Sequence, residues 1–146
     1  MNNYIINEST LVLFSLGEKT QVYEKYVNYI VNKKLITIID ESCKYYGSSL
    51  KGRTEATAFL IGVSYKCPIV VSEKNNIIFF PTNSMHNSDC VWVNYQMIDS
   101  YYLNDNKLLT VNFKYDKSIE LDISRNVFCN QILKSSRLES ILRNKH

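Results

Sequence analysis

Apolar and polar positions divide the chain into segments of different period. Residues 10–16 read as a β-strand ended by Gly17, Glu18 and Lys19. Residues 21–31 carry Val22, Tyr26, Tyr29, Ile30 and Val31, which fit helical and extended templates alike, and their β-branched and tyrosine content favours a strand. From Leu35 the period becomes helical: Leu35, Ile38, Ile39, Ser42, Tyr45 and Tyr46 share one face of a short helix. Gly47 predicts its stop, because glycine is the usual residue just past a helix end. Residues 48–54 then read as a small, hydroxylated, cationic loop with backbone freedom at Gly52.

Strands are predicted over 58–64, 69–72 and 77–80, with Glu73, Lys74, Asn75 and Asn76 as a hairpin turn and Pro81 closing the last strand. A long strand over 91–103, a turn at 104–107, a strand over 108–115, a turn at 116–117 and a strand over 118–123 follow. Then Ser124 is placed to cap a helix in which Val127, Phe128, Ile132, Leu138, Ile141 and Leu142 recur at helical spacing. Ser135 and Ser136 mark where that helix would break. Strands in succession closed by a helix predict an α+β fold: a mostly antiparallel β-sheet with one short central helix and a C-terminal amphipathic helix. The last three strands and helix are analogous to the closing half of pleckstrin-homology-like domains.

A chain of 146 residues has room for one real core, so a single domain over 1–146 is expected. With 4 Gly and 2 Pro there is no composition that marks a linker, and no internal repeat is visible. No stretch has the length and apolarity of a membrane span, and the first residues lack the basic start and apolar run of a signal peptide, so a cytoplasmic location is expected. Cys43, Cys67, Cys90 and Cys129 are too dispersed for metal knuckles and read as small buried hydrophobes. His86, Asp89 and Cys90 lie close in sequence, but no nucleophile signature surrounds them. His86 and His146 are too few for zinc, and the Gly47 to Gly52 spacing lacks the Lys-Ser/Thr ending of a phosphate-binding loop. No catalytic residue, metal or cofactor is therefore expected.

The net charge of +3 is modest, but its distribution is uneven. Residues 43–74 hold five basic and two acidic side chains, 125–146 hold five and one, and 75–113 hold Lys107 against Asp89, Asp99 and Asp105. Two basic segments around an acidic middle suit one positive face. Within the first, Lys44, Lys51 and Arg53 stand among Ser48, Ser49 and Thr54, with Tyr45 and Tyr46 supplying flat amphipathic surface. The same residues also suit a solvated turn after a packed helix.

Residues 39–53, Ile-Asp-Glu-Ser-Cys-Lys-Tyr-Tyr-Gly-Ser-Ser-Leu-Lys-Gly-Arg, resemble the signature of the ComK family of bacterial competence transcription factors. Cys67-Pro68-Ile69-Val70-Val71 and the later Phe80-Pro81-Thr82 are similar to further family segments, as are Cys90 with Trp92, Ile123-Ser124 and Asn130-Gln131. Val91 stands where the family pattern expects Gly, and Cys67 where Pro is common. The N-terminal thirty-odd residues match only in outline. Longer members carry a tail that recruits a proteolytic adaptor, and nothing here matches it.

The resemblance implies a sequence-specific DNA-binding activator of competence (DNA uptake) genes. It implies binding to promoters with paired A/T-rich boxes, largely through the minor groove, as a homo-oligomer such as a dimer or a pair of dimers, at the nucleoid. RNA polymerase is a further candidate partner. On this reading Arg53 enters the groove; Lys44, Ser48, Ser49, Lys51 and Thr54 surround it; Asn83 and Ser84 form a second contact loop. Arg125, Lys134 and Arg137 meet phosphates, unless the last helix instead buries its apolar face in a partner subunit. The alternative is a pleckstrin-homology-like module that binds a protein or an anionic lipid through the same basic loop.

Overall fold

A computed structural model describes residues 1–146 apart from His86, Ser88 and His146. Its elements in chain order are β1 (Thr10–Ser15), β2 (Thr20–Glu24), β3 (Asn28–Val31), α1 (Leu35–Tyr45), α2 (Leu50–Ile61), β4 (Ile69–Ser72), β5 (Ile77–Pro81), β6 (Val91–Asn94), β7 (Ile98–Leu103), β8 (Leu109–Phe113), β9 (Lys117–Leu121) and α3 (Arg125–Asn144). Six strands form one antiparallel sheet in the order β3-β2-β1-β6-β5-β4, and β7-β8-β9 form a second antiparallel sheet. This is the expected α+β class.

The strands β1, β6, β5 and β4 of the larger sheet are buried on both faces, whereas Asn28 and Ile30 of the edge strand β3 are exposed. Side chains alternate across a strand, so Ile69, Val71, Ile77, Phe79 and Trp92 pack on one side with Ile38, Ile39 and Cys43 of α1. Phe80 and Val93 point the other way, onto Leu109, Val111 and Phe113 of the small sheet and Phe128 of α3. Val70 and Ile78 meet Ile61 of α2 and Leu138 of α3. Strands packed on both sides need no polar face, which is why 69–71 and 77–80 read as unbroken apolar runs.

Five sequence expectations are corrected. The loop over 48–54 is a loop only at 48–49, and there is no strand over 58–64: residues 50–61 form α2, so there are two central helices, not one. Its apolar positions do not mark a face, since Phe59 is 88% exposed while Thr57 is buried and donates to the Pro68 carbonyl at 2.7 Å. The single strand over 21–31 is a hairpin turning at Lys25, where the Lys25 amide bonds the Ser9 carbonyl. The long strand over 91–103 is broken by a 3-10 turn at Tyr95–Met97, which carries the chain from one sheet into the other. Asn94 starts that turn by accepting from the Gln96 amide (3.2 Å), and its own amide donates to the Thr10 carbonyl (2.8 Å). Finally, α3 runs unbroken through Ser135, whose hydroxyl returns to the Gln131 carbonyl at 2.8 Å.

Ser124 caps α3 as expected, accepting from the Val127 amide at 3.1 Å. Gln131, 1% exposed, anchors the helix: its amide nitrogen donates to the Pro81 carbonyl (2.6 Å) at the end of β5 and to the Lys66 carbonyl (2.9 Å) in the segment between α2 and β4. Replacing it with an apolar side chain of similar size strands carbonyls in the interior. Gln131→Leu should therefore lose about 1 to 3 kcal/mol of stability, read as a lowered midpoint of urea unfolding with the slope retained.

Candidate nucleic-acid interface

The turn between α1 and α2 is built by reciprocal capping. At the end of α1, the Gly47 amide bonds the Lys44 carbonyl (3.0 Å) and the Ser48 amide bonds the Cys43 carbonyl (2.9 Å). Gly47 has φ +98 with open space around it, so the backbone conformation and not crowding requires glycine there. Ser49 opens α2 by accepting from the Gly52 amide at 2.9 Å. Gly52 answers a different need: a Cβ would sit 2.9 Å from the Ser48 hydroxyl and 3.2 Å from that of Ser49.

Asp40 closes the arrangement from α1. One carboxylate oxygen accepts the Leu50 amide (2.9 Å) and the other pairs with Lys44 (2.9 Å). The amide bond first, and the Lys44 ammonium second, hold its carboxyl below the ordinary aspartate range. Lys44 is thus exposed but already paired. Ser49 is committed to its cap, and Ser48 lies half-buried beside Gly52.

Lys51 and Arg53 project from the first turns of α2. Lys51 is exposed. Arg53 is half-buried and lines an open depression of about 790 Å³ with Tyr45, Tyr46, Glu73, Lys74 and Asn75, and its buried Nε has no hydrogen-bond partner among the described residues. Tyr45 is 70% exposed and stands edge-on to Tyr46, ring centroids 5.0 Å apart. Thr54 turns away, with Lys51, into a separate cleft lined also by Ile36, Leu50, Met85 and the carboxylates of Asp40 and Glu55. Lys74 was not singled out from the sequence. In the sequence it is one of the five basic residues of 43–74 and part of the hairpin turn, and strand pairing is what brings that turn to Arg53.

The other expected contacts lie elsewhere. Asn83 and Ser84 leave the opposite end of β5 from the turn at Lys74 and Asn75, so they do not adjoin Arg53. On α3, Arg125 and Lys134 face opposite ways, since nine residues at about 100° each make two and a half turns. Arg137 falls beside Lys134 and is exposed. Arg125 bears on Tyr101 of β7. Cys43, Cys67 and Cys90 are buried, and burial pushes the Cys43 thiol up to about 12, which leaves it without nucleophilic character at neutral pH. His86, considered beside Cys90, and His146 lie outside the described residues. Among the described residues, no helix is long and apolar enough to cross a membrane.

Comparison with known proteins adds a family. A family model described as "ComK protein" matches residues 1–146. The chain is 31% identical over 144 residues to the competence transcription factor of Bacillus subtilis (strain 168), covering 96% of this chain and 75% of that protein. No solved structure matches.

The Asp40 carboxylate gives a measurable signature. Asp40→Ala should cost about 1 kcal/mol, the usual worth of a helix cap, in unfolding titrations at pH 7. A lowered carboxyl pKa contributes above its unfolded value and loses that contribution as pH falls through the folded value. The gap between wild type and Asp40→Ala should therefore close as titrations are carried below about pH 4.

Proposed function

The chain belongs to the ComK family, and from that membership we infer a transcription factor; we propose further that it activates competence genes by binding A/T-rich promoter boxes, largely through the minor groove, as a homo-oligomer in the bacterial cytoplasm. Contact with RNA polymerase at the promoter belongs to the same reading. The observation that carries it is the open depression where Arg53 and Lys74 stand beside the exposed Tyr45.

A/T-rich minor grooves are narrow, carry enhanced negative potential and present only acceptors, which favours guanidinium and ammonium groups. Arg53 suits that target better from a helix than from a free loop. Its backbone is fixed by the Ser49 cap, so less conformational freedom is lost on binding. Its unpartnered Nε offers a donor that the protein does not use. Lys51, exposed on the other side of the same turn, where it lines the cleft with Thr54, supplies phosphate attraction, and the Tyr45 ring lies beside Arg53 for the sugar edge of the groove. Lys44 serves chiefly through Asp40, and Thr54 lies on the cleft side of α2.

Arg53→Ala should weaken binding to an A/T-box duplex by about 1 to 3 kcal/mol and relax the preference over a G/C-rich duplex of equal length. Lys51→Ala should weaken both duplexes alike and lower the salt slope by about one unit. Fluorescence-anisotropy titrations at several salt concentrations check both. Equal retention of the two duplexes by the wild-type protein at physiological salt would overturn the reading.

A further inference from the structure

Strand β7 forms one border of the smaller sheet and pairs only with β8. Its register fixes which backbone groups look outward. The Asn104 amide donates to the Leu108 carbonyl at 2.9 Å, so these two residues are a hydrogen-bonded pair. Bonded and non-bonded pairs alternate along an antiparallel ladder, which makes Leu103 with Leu109, and Tyr101 with Val111, non-bonded pairs. The amides and carbonyls of Tyr101 and Leu103 therefore point away from β8. Among the described residues, none of the four has a hydrogen-bond partner.

Two other sheet borders are guarded. Outside β3 the Met1 ammonium donates to the Ile30 carbonyl (3.4 Å), and the Asn32 amide donates to the Met1 carbonyl (2.8 Å). The other border of the small sheet, β9, carries the charges of Lys117 and Glu120, which discourage a further strand. From Ser100 to Leu103, β7 has neither charge nor proline, and Tyr102 and Leu103 are 52% and 53% exposed. Leu103 shares a face with Tyr101, whose ring packs on Phe128 of α3, so an aliphatic side chain on the core-facing side is left half outside the core. An open depression of about 730 Å³, with Ser100 and Tyr101 on one side and Ile132 of α3 on the other, leaves room beside the strand.

We propose that β7 pairs with β7 of a second copy of this chain, antiparallel across a two-fold axis at Tyr102, joining two three-stranded sheets into one. The occupant follows from self-complementarity. An axis at Tyr102 sets Tyr101 of each copy opposite Leu103 of the other, so every outward amide meets an outward carbonyl. Tyr102 meets its own counterpart in a non-bonded pair, where side chains approach most closely. Leu103 covers Tyr101 of the other copy, and Ser100 falls opposite Asn104, with no charge on either. The bulge between Ile98 and Ser100 ends the regular stretch and confines the seam to these few residues. The proposal rests on the homo-oligomer of the proposed function and gives it a surface. The depression at Arg53 stays open in such a dimer, since it shares no residue with this one.

Sedimentation equilibrium without DNA compares the wild type with Tyr102→Lys, and mild oxidation compares Tyr102→Cys with Ser118→Cys on β9. The wild type should be a dimer. Tyr102→Lys sets two ammonium groups opposite each other and should raise the dissociation constant by about tenfold or more, with the far-ultraviolet circular dichroism unchanged. Tyr102→Cys should form a disulfide-linked dimer, because a non-bonded pair holds its Cα atoms about 4.5 Å apart. Ser118→Cys should give no cross-link beyond the wild-type level. A dimer equally tight in Tyr102→Lys, or no added cross-link in Tyr102→Cys, would overturn the proposal and leave the homo-oligomer standing on another surface. A wild-type monomer would overturn both. Neither arm contains nucleic acid, so the outcome is independent of the duplex titrations.

Discussion

The arrangement of the basic surface depends on one carboxylate. Helix starts leave amides without intrahelical partners, and helix stops leave carbonyls in the same condition. Between α1 and α2 these demands are met within a few residues, and Asp40 is the group that meets them from outside the turn. By accepting the Leu50 amide it fixes where α2 begins relative to α1, and hence which side of α2 carries Lys51 and which carries Arg53. It also offsets the positive end of the α2 dipole. Attraction for a polyanion at this corner therefore comes from side chains, chiefly Lys51, Arg53 and Lys74, and not from the helix end.

The helices sit on a sheet whose central strands are covered on both faces. With α1 on one side and the small sheet and α3 on the other, the larger sheet is held as a packed slab, and the β4–β5 turn that carries Lys74 projects from one end of it. Gln131 does for α3 what Asp40 does for α2. A single amide, buried among apolar groups, sets the helix against two backbone carbonyls from distant parts of the chain. Both devices place charged residues on regular elements, where position is held within narrower limits than on a loop.

Much of this was legible in the sequence. The stop of α1 at Gly47, the cap at Ser124, the hairpin turn at 73–76 and the α+β class all follow from local chemistry. What failed did so for physical reasons. α2 lacks amphipathic periodicity because Phe59 faces outward and Thr57 inward, so period gave no warning of it; Ser49 before it and Gly62 after it were the available boundary signals. The split at Tyr95–Met97 depends on Asn94 reaching Thr10, a contact between residues far apart in the chain. Similarly, the neighbours of Arg53 and Lys134 are set by strand pairing and helix docking, which residue spacing does not encode. The sequence named most of the cations but could not say which of them stand together.

The pairing of β1 with β6 carries a further consequence. Val12 lies opposite Val93, so the centre of the larger sheet closes only after some 80 intervening residues are in place. During synthesis the β1–β2–β3 meander must wait at the ribosome exit with one long edge unpaired, while β6 is still being made. The newborn polypeptide thus passes through a stage in which the β1 border, interior in the finished sheet, is open to other chains.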